Sequence, residues 1–537
     1  MGSLLKTGAA AALGAALLVG LSSAAGAEAP VAPWAAAGIV APVIEDERLM
    51  ALFHDDARRE DALDPMAVIY RGDSPSPQSL RQLFTDEQIR ARRASVGQSL
   101  AALRRIDRRK LSAERQISYD VFQTDKRNEQ IWLQPDMIAL TAVRPFNHFG
   151  GLQIEFPSLV ASDGALRYRD ASDYRANLAL IEAFGTVLDN AVDRFRQGLA
   201  SGVVETRLTT ANMIAQIDGL LDQPVEQSPF ASPVRNFPAE IGADEQKQLR
   251  AAYLDAVRTK VYPAYHRLRA FLNDEYLPAA REQAGLSAMK GGSGLYRRYI
   301  AQHTTLPLDP EVVHKLGLSE VARIQSEMNG VKRELGYDGD LKGFFNFIRT
   351  DSRFHPKTRD DLANGYASVA RKVDAQVPRF FSKVPRTPLL IEPYPAYREK
   401  YEAGGSYNQG SPDGSRPGVF FYNTYDLPSR FLSGITTLYL HEGAPGHHFQ
   451  ISLAQEDRTL PDFQRFGGNN AFVEGWALYA ETLGYPMGFY KDPLQHWGTL
   501  DDEMLRAMRL VVDTGIHAKG WSRDQAIDYM LANSGMG

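Results

Sequence analysis

The 537-residue chain contains no cysteine. That absence excludes disulfides, thiolate metal ligands, cysteine nucleophiles and a cysteine-linked lipid anchor, so any metal must rest on His, Asp and Glu. An excess of positive charge is missing too: 60 Lys+Arg stand against 65 Asp+Glu, a formal net charge of -5, with no basic block. This argues against a nucleic-acid partner and against a polybasic membrane patch. Histidine is scarce, eleven in all, so several histidines gathered in one short segment carry information. The N-terminus reads differently from the rest. Lys6 supplies a charge, Ala9 to Leu21 an apolar run, and Ala25-Gly26-Ala27 a small-residue cleavage signature, the pattern of a Sec-type signal peptide over residues 1–27. A retained membrane anchor is the weaker alternative, because the Ala-rich run is shorter than the ~20 residues a span needs. No stable membrane insertion is expected after cleavage. Export without cysteine suits a bacterial periplasmic or secreted protein.

What is present is helical periodicity. Tyr174, Leu178, Ile181, Phe184, Leu188, Val192, Phe195 and Leu199 step by three or four, with Ser172 placed to cap and Gly202 to stop. Asp309-Pro310 opens a second helix, as N-cap and first helical residue, with a stripe through Val313, Leu316, Val321, Ile324, Met328, Val331 and Leu335. A third runs from about Asp244 to Tyr276, bent at Pro263. Loops are expected at 223–238, 289–294 and 403–418, where Pro and Gly gather. The second, MKGGSG, lacks the Lys and Ser/Thr of a phosphate-binding loop and reads as a turn. Strand-like runs are limited to 388–392 and 418–422. They form either an edge on which an extended peptide could lie or a buried hairpin.

The chemistry concentrates in HEGAPGHHFQ, residues 441–450. An apolar helical run over 432–440 delivers His441 and Glu442 at its end. In an ordinary HExxH helix two histidines four apart face one metal and the intervening Glu polarises a water. Here the fourth position is Pro445. In an unbroken helix His448 would lie about 10 Å along the axis from His441, and His447 would point off that face. Pro445 and Gly446 break the regularity on which both distances depend. A bulge would swing His447 back toward His441, so the second ligand is left between His447 and His448. A third ligand is supplied by Glu474 in NNAFVEGWALYAETLGY, where Gly475 would allow close backbone approach. Glu481, seven residues further on the same helical face, would buttress a ligand histidine. Downstream, Arg506, Arg509, Asp513 and His517 recur at spacings of three and four. There His517 would stabilise an oxyanion while Asp513 fixes its tautomer; the alternative is a solvated ion-pair face. Tyr407 and Arg430 are candidates to anchor a substrate terminus, against structural roles.

HEGAPGHHFQ, FVEGWALYAE (472–481), RAMRLVVDTGIHAKGW (506–521) and the upstream TTLPLDPEVVHKLGLSEVARIQSEM (304–328) together resemble the DUF885 family, bacterial proteins grouped with the HExxH-type metallopeptidases. The resemblance implies an HExxPGH pattern with His441, His447 and Glu474 as ligands of one zinc ion, or of another divalent metal, and Glu442 as general base. It also implies a mainly α fold, a large helical enclosure around a deep cleft, with the small β element beside the metal-site helix. The expected organisation is a signal peptide over 1–27, an N-terminal helical region over 28–300 and a metal-site region over 301–537. Family members continue past the segment matching WSRDQAIDYMLANSGM with a further helical stretch bearing a PGQA-type motif, so this chain is expected to be truncated at its C-terminus. The function implied is a zinc-dependent peptidase acting on short peptides. The alternatives are hydrolysis of another ester or amide bond at the same metal, and noncatalytic capture of a periplasmic ligand.

Overall fold

The computed structural model describes residues 40–395 and 399–536. The expected signal peptide over residues 1–27 lies outside the described residues. Helices dominate, and the chain divides into two compact units, Met1–Ala200 with Leu208–Ala279, and Ser201–Arg207 with Ala280–Gly537. Among the described residues no helix is long and apolar enough to cross a membrane.

The first unit holds the helices Val40–Leu63 (α1), Asp86–Leu103 (α2), Ala113–Trp132 (α3) and Ala171–Ser201 (α4). The stripe of α4 is buried at Tyr174, Ile181, Phe184, Leu188, Val192 and Phe195, while Leu178 and Leu199 sit half-buried at its edges. Its cap is Asp170 rather than Ser172: the Asp170 carboxylate accepts the backbone N–H of Ser172 and Asp173 and the Ser172 hydroxyl. An ionised oxygen is the stronger acceptor for the orphan N–H groups. Gly202 stops the helix with φ +77°. The expected bend at Pro263 is absorbed differently. Two π-helical segments, Val257–Val261 and Leu272–Tyr276, interrupt the α-helical run from Ala243 to Ala279, the first directly ahead of Pro263.

The second unit is built around Pro310–Glu334 (α6) and Pro493–Lys519 (α11), with Gly292–Thr304 (α5) ahead of them and Arg359–Asp374 (α7) between. Asp309 caps α6 as expected. Val313, Val321, Ile324, Met328 and Val331 are buried, but Leu316 is 50 % exposed. The contact line runs instead through Gly317, where an added Cβ would lie 2.8 Å from both Leu510 Cβ and Val511 Cγ2. The backbones approach so closely there that a side chain has no room, and the neighbouring Leu316 is turned away. Gly515 of α11 makes a similar contact, its missing Cβ filled by the ring of Trp521.

Three short strands complete this unit: Leu389–Pro393 (β1), Gly405–Asn408 (β2) and Gly418–Tyr422 (β3), in the order β1-β3-β2. β1 pairs parallel to β3, Ile391 opposite Phe420, so the two runs read from sequence are not a hairpin. β2 lies inside what was read as a Gly-rich loop and pairs antiparallel to β3, Tyr407 opposite Phe420. Behind the sheet, Phe420 and Tyr422 join Tyr366 and Val369 of α7 and Ile435, Tyr439 and Leu440 in one apolar cluster. This packing seats the helix that ends in His441.

Gly317→Ala is expected to destabilise the protein by about 1–3 kcal/mol through overpacking. Gly330→Ala, in the same helix with nothing within 4 Å of the added carbon, is expected to be neutral or to stabilise by up to about 1 kcal/mol. Urea-transition midpoints of the two variants check this, and equal midpoints would contradict the close approach.

Candidate metal centre

Helix Ile435–Glu442 (α8) ends at the signature, and a new helix, His447–Glu456 (α9), begins after four intervening residues. The expected bulge is therefore a complete break and restart. Gly446 makes it possible: a Cβ there would lie 1.9 Å from the carbonyl oxygen of His441 and 2.3 Å from that of Leu440. The Ala444–Pro445 peptide within the break is cis. Trp476, from helix Asn470–Thr482 (α10), donates its Nε1–H to the Pro445 carbonyl at 2.8 Å and ties the connection to the third element of the site.

The restart returns His447 to His441, ring centroids 4.8 Å apart and planes at 85°. Ligand atoms of His441, His447 and Glu474 all lie within 4.8 Å of one another. Glu474 Oε2 is 3.4 Å from His441 Nε2, and Oε1 is 3.8 Å from His447 Nε2. These separations approach the ~3.3 Å edge of a tetrahedron with bonds of about 2.0 Å, and two imidazoles with one carboxylate are a donor set that suits zinc. His448 turns the other way, its Nδ1 3.0 Å from the Tyr407 hydroxyl and 3.4 Å from Ser452 Oγ. Of the two histidines left open by spacing, His447 joins the cluster.

The surrounding residues fix orientation. His441 Nδ1 is 2.8 Å from Glu481 Oε1, which also accepts from Arg506 Nη2 at 3.0 Å. With the proton held on Nδ1 by that carboxylate, the Nε2 lone pair faces the cluster. Burial opposes charging of His441, yet the carboxylates of Glu474 and Glu481 outweigh it and hold its pKa up at about 9. His447 goes the other way, to about 4, through burial and then the neighbouring His441 charge. The hydrogen bond from His441 holds Glu474 below the usual carboxylate range. Two imidazoles and one carboxylate converge here, and His447 Nδ1 is buried without a hydrogen-bond partner. The residues fit a divalent cation.

Glu442, beside His441, is buried, and desolvation pushes its pKa up to about 7 against the pull of His441. The Tyr407 hydroxyl is engaged by His448 and Ser452. Asp502, one turn before Arg506, is pushed up to about 7 by burial, with Arg506 opposing. It and Trp476 went unread in the sequence, although Asp502 stands four residues before an arginine already singled out. Around Gly475 the expected close backbone approach is absent, since nothing lies within 4 Å of an added Cβ.

Asp513 and His517 are not brought to this cluster. His517 lies eleven residues beyond Arg506 on α11, about 16 Å along the helix. Its Nδ1 accepts the Leu286 N–H at 3.2 Å, and its Nε2 is 3.6 Å from Asp513 Oδ1. Tyr296 donates to Asp513 Oδ2 at 3.0 Å and stands 5.3 Å from the His517 ring. Asp513 does face the His517 ring, and the pair contacts the 286 turn and α5. Arg509 is exposed, and Arg430 donates to the Tyr425 carbonyl.

Comparison with known proteins adds a family and a fold. No curated protein matches the chain. A candidate lipoprotein from Colwellia psychrerythraea, known from its crystal structure, superposes with a TM-score of 0.79 at 25 % identity, covering 92 % of this chain and 87 % of that one. A candidate lipoprotein of unknown function from Shewanella oneidensis superposes with a TM-score of 0.69 at 17 % identity, covering 91 % and 86 %. The model of DUF885, bacterial protein of unknown function, matches residues 65–537, and with it the site helices and the break between them: the chain belongs to that family.

Proposed function

We propose that this protein is an exported, zinc-dependent peptidase acting on short peptides. The observation that carries the reading is the convergence of His441, His447 and Glu474 ligand atoms within 4.8 Å, with Glu442 next to them. His441, His447 and Glu474 would hold the ion, and an ion in such a site supplies Lewis-acid chemistry, acidifying water and polarising a carbonyl. Glu442 is the group placed to manage the proton. With a pKa about 7 it is suited to accept a proton from water as the water oxygen bonds to the peptide carbonyl carbon. It then delivers that proton to the nitrogen as the C–N bond breaks, leaving a carboxylic acid and an amine, and the acid passes its proton to the amine. Glu481 with Arg506 keeps His441 oriented. Export is supported by the N-terminal signal pattern and by the candidate lipoproteins that share the fold. Having no cysteine, the chain offers no thiol for a lipid anchor.

Elemental analysis is expected to find about one zinc per chain, lost in His441→Ala and His447→Ala and kept in His448→Ala. No stoichiometric metal in folded wild-type protein would overturn the reading. Glu442→Gln should keep the metal and lose about 10²–10⁴-fold in turnover; normal turnover would remove Glu442 from its role. Glu481→Gln is expected to weaken zinc affinity by roughly 10–100-fold, measured by competition with a chelator, and unchanged affinity would mean that Glu481 does not orient His441. Turnover of esters but not of peptides by the zinc-loaded protein would move the function to ester hydrolysis.

A further inference from the structure

Of the four polar residues that recur along α11, three have partners. Arg506 bonds the Glu481 carboxylate of α10, Asp513 accepts the Tyr296 hydroxyl of α5, and His517 accepts the Leu286 N–H. Arg509 is exposed, and among the described residues its side chain makes no hydrogen bond or ion pair. The reason is local. One helical turn to either side of Arg509 are Leu505, Arg506, Val512 and Asp513. Asp513 is the one carboxylate among them, and it is already engaged by Tyr296 and faced by His517.

Three helix contacts set Arg509 relative to the metal cluster. α10 meets α11 where Arg506 bonds Glu481, α11 meets α5 where Tyr296 bonds Asp513, and α5 meets α10 where His303 Nδ1 lies 2.9 Å from Asn470 Nδ2. The contacts close a triangle of helix segments, about 10 Å long on α11, 10 Å on α5 and 16 Å on α10. Glu474 stands on the α10 side, one turn after Asn470 and two before Glu481, on the helical face that makes both contacts. Its side chain is 57 % exposed while those of His441 and His447 are buried, so the cluster opens to solvent at Glu474. Arg509 stands on the α11 side, one turn past Arg506 and about 60° around from it. Arg506 itself lies 3.3 Å from His441 Nδ1. The open metal ligand and the unpaired cation therefore flank the same triangle.

We propose that Arg509 receives a carboxylate group of the peptide substrate, one or two residues from the bond that is cut. The inference rests on the metallopeptidase reading above and names the substrate class for it. Charge decides the occupant: a free guanidinium presents parallel N–H donors that match a carboxylate, and the carboxylates of a peptide are its C-terminus and its Asp and Glu side chains. Spacing decides the position. Arg509 Cα lies ~4.5 Å further along α11 than that of Arg506, an advance that one or two residues of extended peptide cover at ~3.3–3.6 Å each.

The test uses zinc-loaded full-length protein and three short peptides that carry a hydroxamate to engage the metal, with binding measured by calorimetry at low salt. One ends in a carboxylate, one in a carboxamide, and one in a carboxamide with glutamate as its last residue. The first or the third is expected to bind at least about 10-fold more tightly than the neutral carboxamide, and which of them does so identifies the source of the carboxylate. In Arg509→Gln that preference should disappear while zinc stoichiometry and the urea-transition midpoint match the wild type, and Arg509→Lys should retain part of it. Equal binding of the three compounds to wild type, or a preference unchanged in Arg509→Gln, overturns the role of Arg509 while leaving the metal-site reading intact. Wild-type protein that takes up no zinc overturns both.

Discussion

The Glu481 carboxylate is the constraint on which the rest of the site depends. It is buried, with 4 % relative exposure, and a buried charge is tolerated only where partners replace the water it has lost. It has two, His441 Nδ1 from α8 and Arg506 from α11, while its own helix, α10, also carries Glu474. Three helices are thereby referred to one oxygen atom. The backbone is held as well, since Tyr490 donates its hydroxyl to the Glu481 carbonyl at 2.9 Å. The orientation of His441 is consequently a property of helix packing rather than of the signature segment alone.

Around that anchor the two halves of the signature have separate supports. α8 is seated by the apolar cluster behind the sheet, and α9 is reached through a connection that only glycine at 446 can make. Because the helix stops and restarts, the two histidines meet at nearly perpendicular ring planes instead of lying on one helical stripe. His448 is released by the same geometry for a different task, bonding the Tyr407 hydroxyl.

The fold class, the long amphipathic helices and the strands β1 and β3 were legible because they follow hydrophobic periodicity, which local sequence carries directly. Glu474 and Glu481 were legible for a related reason: seven residues is two helical turns, so their shared face needs no tertiary knowledge. What failed depends on distant partners. Spacing alone left His447 and His448 open, since their directions are decided by a chain reversal that a helical wheel does not describe. His517 and Asp513 were expected at the metal because they share a face with Arg506, but a shared face says nothing about distance along a 27-residue helix. β2 was hidden in a loop composition. Leu316 fitted its stripe and is nonetheless exposed, because the near contact of α6 with α11 is made at a glycine.

The second unit is not continuous in sequence. Residues 201–207 belong to it although the chain then departs until Ala280, and the join is specific: Arg207 N–H bonds the Arg281 carbonyl, Arg281 N–H bonds the Glu205 carbonyl, and the Arg281 guanidinium reaches the carbonyl of Val204. During synthesis from the N-terminus, residues 201–207 emerge well before Arg281. The short segment therefore waits without its partners while Leu208–Ala279 is made. The unit bearing the histidines is assembled around a piece of chain delivered early, and a fragment begun at residue 280 would be missing part of its own wall.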